Sequence, residues 1–168
     1  AIASEVLAFN TDYSEVLGLT VETLLLSDRS QIEVALAAYD SLSVDAQIEL
    51  STEKALLDSF LTEIIRQVSI LDEIHTFKTD NASVLSLTIY TVAIGDRTSV
   101  ENALAQYDLL SLSAKSQLNS EKTLLDNLLA EIEKQESIQL EVTTFNIDYA
   151  AILAKTTITI VSTDRTMV

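Results

Sequence analysis

The sequence contains no cysteine, no proline and no tryptophan, and its only glycines are Gly18 and Gly95. The lack of cysteine excludes thiol nucleophiles, disulfides and cysteine-ligated metals. Because proline is absent and glycine rare, little in the chain would interrupt a helix. Two isolated glycines cannot form a glycine-rich phosphate loop. Apolar residues make up 48% of the sequence, which together with these absences predicts packed helices rather than disorder.

Basic residues are also scarce. Lys and Arg number 10 against 26 Asp and Glu, and the net charge is −16. Such a chain repels phosphate backbones and anionic membrane surfaces, so we expect no nucleic-acid partner. Apolar runs last only a few residues, so no membrane insertion is expected. The first ten residues lack the basic and apolar regions of a signal peptide.

The chain repeats itself with a period of 68 residues and without gaps. Segments 9–76 and 77–144 are identical at about half of their positions, and 137–168 matches 1–32 as a third, incomplete copy. The recurring positions that we interpret as structural are Phe9, Phe77, Phe145, Tyr39, Tyr107, Asp28, Asp96 and Asp164.

The period divides the chain into parts of unequal completeness. Residues 1–28 are interpreted as the end of a preceding repeat, 29–96 and 97–164 as repeat units, and 165–168 as the start of a further repeat. A stand-alone array needs atypical capping repeats at its ends, and none is recognisable here. We therefore expect an excerpt from a longer array, whose partners are neighbouring repeats of the same chain.

Each unit contains the pattern of three helices. Ser30 with Glu33, and Thr98 with Glu101, fit a capping box, which predicts helix starts there. The apolar residues that follow the first start recur every three or four positions, as expected for one helical face. A short helix is predicted over 44–50. A third begins near Ser51, where no helix breaker follows, and is predicted to run to about Leu87.

The segments 87–96 and 156–164 depart from this pattern because they are rich in β-branched residues, which favour extended chain. We predict short extended connectors there. The complete prediction is an all-α fold of tandem three-helix-bundle repeats of 68 residues, joined by long continuous helices.

A Tyr-Asp pair within VALAAYDSLS (34–43) returns within NALAQYDLLS (102–111). One interpretation is a repeated recognition patch with tyrosine as its aromatic anchor. The other is structural, since Tyr39 and Tyr107 fall on the apolar helical stripe and can keep a hydroxyl at its rim. We favour the structural interpretation, with the aspartate facing solvent or holding the turn after the helix.

Other candidate sites lack the residues that their chemistry requires. His75 is the only histidine, and its counterparts Leu7 and Thr143 cannot replace it in a metal or acid–base site. Recurrent aspartates 12, 80 and 148 raise the option of calcium, but no stretch has the spacing of a calcium loop. We interpret them as capping or surface-pairing residues, and the single sequon at Asn81 as chance. No catalytic, cofactor or metal site is predicted.

The pattern carried by Val100–Ser111 and Ser120–Asp126 resembles tandem helical repeats in large surface proteins of Gram-positive-type bacteria and their wall-less relatives. The long shared helix is also similar in architecture to spectrin-like repeats. The bacterial resemblance implies an extracellular, cell-surface location and a non-catalytic role as a stalk or adhesin. It brings no binding residues to this chain.

Two functions remain open from the sequence, and neither is enzymatic. The first is a spacer or stalk of a bacterial surface protein or extracellular filament. The alternative is a three-helix binding or adhesion module that recognises a host protein or a sibling chain. A binding face should be the same in both copies, whereas the pairs Glu22/Tyr90, Val34/Asn102 and Ile65/Glu133 differ, which favours the spacer. Apolar residues on the polar face, Val34, Ile48 and Ile65, raise the further hypothesis of lateral self-association.

Overall fold

The computed structural model describes residues 2–155 and confirms the all-α prediction, with no strand among those residues. The α-helices are α1 (Ile2–Asp12), α2 (Ser14–Leu17), α3 (Arg29–Asp40), α4 (Val44–Glu49), α5 (Ser51–Asp80), α6 (Ala82–Leu85), α7 (Arg97–Leu109), α8 (Leu112–Gln117), α9 (Asn119–Asp148) and α10 (Ala150–Leu153). Short 3-10 helices precede α3 and α7, at Leu26–Asp28 and Ile94–Asp96. The connector predicted at 156–164, Asp164 and the start predicted at 165–168 lie outside the described residues.

The chain forms two compact units, Ala1–His75 and Thr76–Val168. The boundaries at 28/29 and 96/97 remain predictions from the sequence period. In the first unit α1 packs into the same core as α3 and α5, so residues before position 29 contact residues that follow it. The division at His75 lies within the long helix α5.

The core of the first unit is built from one apolar stripe on each of its longer helices. Its positions are spaced by three and four, as in Leu57, Phe60 and Ile64 of α5, which places them on one helical face. The buried residues of this core are Phe9, Val16, Leu24, Ile32, Ala35, Leu50, Leu57, Phe60 and Ile64. Tyr13, Tyr39 and other partly buried side chains pack around them.

The second unit buries the same positions 68 residues later. All nine counterparts of that core are buried: Phe77, Val84, Val92, Val100, Ala103, Leu118, Leu125, Leu128 and Ile132. Where the residue type changes, as from Phe60 to Leu128, the replacement is also apolar. Burial of these core positions therefore recurs with the 68-residue period of the sequence.

The helices α3 and α7 do not begin at the predicted capping boxes. Ser30 and Thr98 lie inside the helices, which begin at Arg29 and Arg97. The preceding aspartate acts instead on the 3-10 turn. Asp28 Oδ2 accepts a hydrogen bond from the Leu25 N–H at 2.8 Å, and Asp96 Oδ2 accepts one from the Ala93 N–H at 2.9 Å. Glu33 pairs with Arg29 at 2.7 Å.

The long helix is shorter than predicted. It ends at Asp80 instead of continuing to Leu87, although it still covers 30 residues and about 45 Å. At Asn81 the backbone turns to φ −106° and ψ 15°, outside helical values, and the single turn α6 follows. Tyr13 and Tyr149 have nearly the same dihedrals, so the interruption recurs with the 68-residue period.

The connector at 87–96 is mostly a turn rather than extended chain. Thr88 N–H donates to Thr91 Oγ1 at 2.9 Å, and Thr20 N–H donates to Thr23 Oγ1 at 3.0 Å in the first unit. The residue before each 3-10 helix is extended, Leu25 with ψ 154° and Ala93 with ψ 163°. The β-branched threonines therefore serve through their hydroxyls, which close the turns.

Truncation of Leu125 to alanine tests the burial in the second unit. Leu125 is fully buried, so Leu125→Ala should lower the free energy of unfolding by about 2–5 kcal/mol through lost burial and a residual cavity. Urea unfolding followed by circular dichroism measures this change. Leu109→Ala is the matched control, because Leu109 is 87% exposed and its loss should change the free energy by less than about 0.5 kcal/mol. Equal effects of the two variants would contradict this core.

Candidate interaction surface

The tyrosine of the Tyr-Asp motif is a structural group in both units. Tyr39 Oη donates to the carbonyl oxygen of Gln47 at 2.8 Å, and Tyr107 Oη donates to that of Lys115 at 3.1 Å. Each bond ties the short helix α4 or α8 to the helix before it. The Tyr107 ring meets Phe77 edge-on at 6.1 Å, and Tyr39 meets Phe9 at 6.3 Å. Both polar and apolar parts of the tyrosine are therefore used inside the unit.

The aspartate of the motif contributes through its backbone. Asp40 O accepts from Gln47 Nε2 at 3.2 Å, and Asp108 O accepts from Lys115 Nζ at 2.7 Å. Both residues are exposed. Because the two units use different donors for the same carbonyl, the aspartates hold the helix end rather than form one repeated binding geometry.

A lysine over each tyrosine was not predicted from the sequence. Lys54 Nζ lies 5.9 Å from the Tyr39 ring centroid and 2.7 Å from Asp58, and Lys122 stands 5.9 Å from Tyr107 and 2.7 Å from Asp126. The hydrogen bond to Asp126 raises the pKa of Lys122. The available signal was the repeated Glu-Lys-x-Leu-Leu-Asp pattern, which places Lys and Asp four residues apart on one helical face.

Arg97 joins two helices of the second unit. It contacts Glu101 at 2.8 Å on its own helix and Glu136 on α9 at 2.6 Å. In the first unit Arg29 pairs with Glu33, while the counterpart of Glu136 is Val68. The recurring arginine therefore has unit-specific partners.

A second link between helices in this unit is the ion pair of Lys78 with Glu121, at 2.6 Å. Partial burial raises the pKa of Glu121, but hydrogen bonds from Lys78 and from the backbone outweigh it, so the pKa is lowered overall. Lys78 has no charged counterpart, since positions 10 and 146 are asparagine. Like the Arg97 contacts, this pair distinguishes one unit from the other.

The two buried phenylalanines have an exposed counterpart at the end of α9. Phe9 and Phe77 are 3% and 2% exposed, whereas Phe145 is 52% exposed. The residues at the core-facing positions of this segment are Ile138, Val142, Phe145, Tyr149 and Ile152, and we call them the α9 apolar face. Ile138, Val142 and Phe145 are spaced by four and three and so lie on one side of α9. Tyr149 follows at the helix interruption, and Ile152 lies in α10. Among residues 2–155, this segment has the apolar pattern of a core stripe, but it is less buried than the equivalent segments around Phe9 and Phe77.

The other candidate sites, at His75, at the Asn81 sequon and at the recurrent aspartates, do not form a binding site in the described part of the chain. His75 is exposed. Asn81 is 6% exposed and its amide donates two hydrogen bonds, so the sequon does not present an accessible glycosylation site. An open groove of about 320 Å³ in the first unit is lined in part by Tyr13, Val16 and Val34. No three His, Asp or Glu residues of the described part of the chain are placed to hold a metal ion.

No helix within residues 2–155 combines the length and apolar character needed to cross a membrane. Comparisons with protein-family models, with curated proteins and with solved structures gave no match to this chain.

Loss of one tyrosine hydroxyl tests its structural role. Tyr107→Phe removes the hydrogen bond to Lys115 and should lower the free energy of unfolding by about 0.5–1.5 kcal/mol. Tyr39→Phe should do the same in the first unit. Urea unfolding measures both, with Asp108→Asn as the control that keeps the accepting backbone carbonyl. The structural role fails if Asp108→Asn destabilises the protein and neither tyrosine variant does.

The ion pair of Glu63 with Arg66 predicts a pH dependence. Hydrogen bonds from Arg66 and Gln67 lower the pKa of Glu63 from 4.5 to about 2. Since the folded-state pKa lies below the unfolded one, this stabilisation is complete above pH 4.5 and is lost as the pH falls toward 2. The wild type should thus exceed Glu63→Gln in urea midpoint at pH 6 and match it near pH 2.

The control for this prediction is made in the Arg66→Gln background. Without the guanidinium the Glu63 carboxylate loses its main hydrogen-bond donor, so Glu63→Gln should have a much smaller pH-dependent effect there. An undiminished effect in that background would show that another group lowers the pKa.

Proposed function

We propose that this chain is a non-enzymatic structural segment of tandem three-helix repeats, each 68 residues long, that acts as a spacer or stalk. The observation that carries the proposal is the recurrence of burial: nine core positions of the first unit all have buried counterparts 68 residues later. A repeat in which each helix buries one stripe against its neighbours can be extended by adding units, which is the property a spacer needs.

Several surface positions of the two units differ although the core repeats, which supports a spacer. Glu22 and its counterpart Tyr90 are both exposed, and so are Val34 and Asn102. Ile65 corresponds to Glu133, an exchange of an exposed apolar residue for a charged one. At these three positions a ligand common to both units would meet different side chains.

The proposed location is the surface of a bacterial cell or an extracellular filament. The resemblance of Val100–Ser111 and Ser120–Asp126 to repeats of bacterial surface proteins supports it. The net charge of −16 adds support, since chains of one strong sign repel each other and stay separate when crowded.

A binding or self-association role is the second candidate, and one observation favours it. Val34, Ile48 and Ile65 of the first unit are 59%, 67% and 53% exposed, while their counterparts Asn102, Ser116 and Glu133 are polar. Exposed apolar side chains of this size are candidates for contacts with a sibling chain or a host protein.

Adding whole repeat units to the protein distinguishes the spacer from the binding role. Because Val168 corresponds to Ile32, residues 33–100 can be appended directly after it, once or twice, to add whole units. For a spacer, small-angle scattering should show the maximum dimension rising by the same increment with each addition. Sedimentation should show a monomer at every concentration. A maximum dimension that does not grow would contradict the spacer.

The matched variant for the second candidate carries Val34→Asn, Ile48→Ser and Ile65→Glu, which are the residues of the second unit. Concentration-dependent association that this variant abolishes would establish the apolar residues as a contact surface. A wild-type chain that stays monomeric would exclude self-association through them.

A further inference from the structure

Asn81 and Gln106 form a polar pair between the long helix region and α7 in the second unit. Asn81 Nδ2 donates to Gln106 Oε1 at 2.9 Å and to the Phe77 carbonyl oxygen at 2.9 Å. Asn81 is the only buried polar residue among residues 2–155. Because a buried amide that loses its partner is costly, this pair constrains which residue α7 can present at position 106.

The first unit has different residues at the two equivalent positions. The counterparts of Asn81 and Gln106 are Tyr13 and Ala38, and both pack against the first unit's core. The Tyr13 ring lies 4.9 Å from the Phe9 ring. The backbone at Tyr13, φ −111° and ψ 16°, matches that at Asn81, so the two units differ here in side chain and not in backbone. The first unit thus has a ring and a methyl group at these two positions, and the second unit has two amides that bind each other.

The α9 apolar face has tyrosine, as the first unit does, at the position of Asn81. Tyr149 has φ −110° and ψ 14°, and its ring lies 4.8 Å from Phe145, as Tyr13 lies against Phe9. Val142 likewise repeats Val6, whereas the intermediate copy of this position is Ile74. The segment thus presents the residues with which α1 and α2 enter the first unit's core, while Phe145 is still half exposed.

We propose that the residue pair at positions 13/38 and 81/106 selects which helix can complete which unit. The α9 apolar face then fits an α3–α5 helix pair that carries alanine, not glutamine, at the position of Ala38. This rests on the proposed function, because the occupant is a further unit of the same kind. The α9 apolar face continues an existing interface: in the first unit Phe9 and Val16 are buried in the core that α3 and α5 share, and Tyr13 packs against that core.

Mispairing is unfavourable in both directions. A tyrosine opposite glutamine would displace the exposed Gln106 side chain from its present position, and the hydrogen bond between the two amides would be lost. An asparagine opposite alanine would lose the Gln106 acceptor and leave space that the alanine methyl group cannot fill. Each pair therefore favours its own partner and disfavours the other.

The first experiment is a double-mutant cycle in the chain itself. Asn81→Tyr and Gln106→Ala should each lower the melting temperature, by about 5 °C or more. The double variant recreates the Tyr13/Ala38 pair and should recover most of the loss. A double variant whose loss equals the sum of the single losses would overturn the selection by this pair.

The second experiment tests the α9 face with four proteins. Residues 33–75 are appended after Val168, with Ala38 of the appended copy kept or changed to glutamine, and with Tyr149 kept or changed to asparagine. The two matched proteins combine Tyr149 with the appended alanine, and Tyr149→Asn with the appended glutamine. They should melt about 5 °C or more above the two mismatched ones. Circular dichroism also reports whether the appended residues add helix.

The two ways to fail are distinct. If the appended residues add no helix in any of the four proteins, the tandem-repeat proposal fails and the inference with it. If they fold equally well in all four, the repeat proposal stands and the selection by this pair is wrong.

Discussion

Each unit depends on the burial of one phenylalanine, Phe9 or Phe77, in a core that the later helices of the unit complete. Neither α3 nor α5 can cover its apolar stripe alone, because a single helix exposes that face to water. The helix that supplies the phenylalanine precedes the Asp-Arg pair in sequence, so the folded unit begins before the point where the sequence pattern restarts. Phe145 is the equivalent phenylalanine of the third copy, and about half of its surface is exposed.

Around this core the repeated polar residues have mostly structural tasks. Tyr39 closes the short helix onto the core, Lys54 covers the tyrosine ring, and Asp58 holds the lysine. The second unit repeats this arrangement with Tyr107, Lys122 and Asp126. A motif that recurs with such a set of internal partners needs no ligand to explain its recurrence, and this is why the functional argument rests on the architecture.

The units are alike in their cores but not in the contacts that join their helices. Arg97 reaches Glu136 where the first unit has an arginine beside an apolar residue, and Asn81 binds Gln106 where the first unit has Tyr13 and Ala38. Such differences leave the shared fold intact and give each helix pairing its own chemistry. In the repeat array that we propose, such polar contacts would distinguish one neighbour from another where the apolar cores are alike.

The sequence by itself determined the all-α class, the period and the helical face of Tyr39, because spacing and helix breakers are local properties. It did not determine that Asp28 would bind the Leu25 N–H, that the long helix would end at Asp80, or that Asn81 would be buried. The Asp28 contact joins residues only three positions apart, but it depends on a 3-10 turn that the sequence pattern did not predict. The burial of Asn81 depends on another segment, since Gln106 lies 25 positions away along the chain and only the tertiary structure brings the two side chains together.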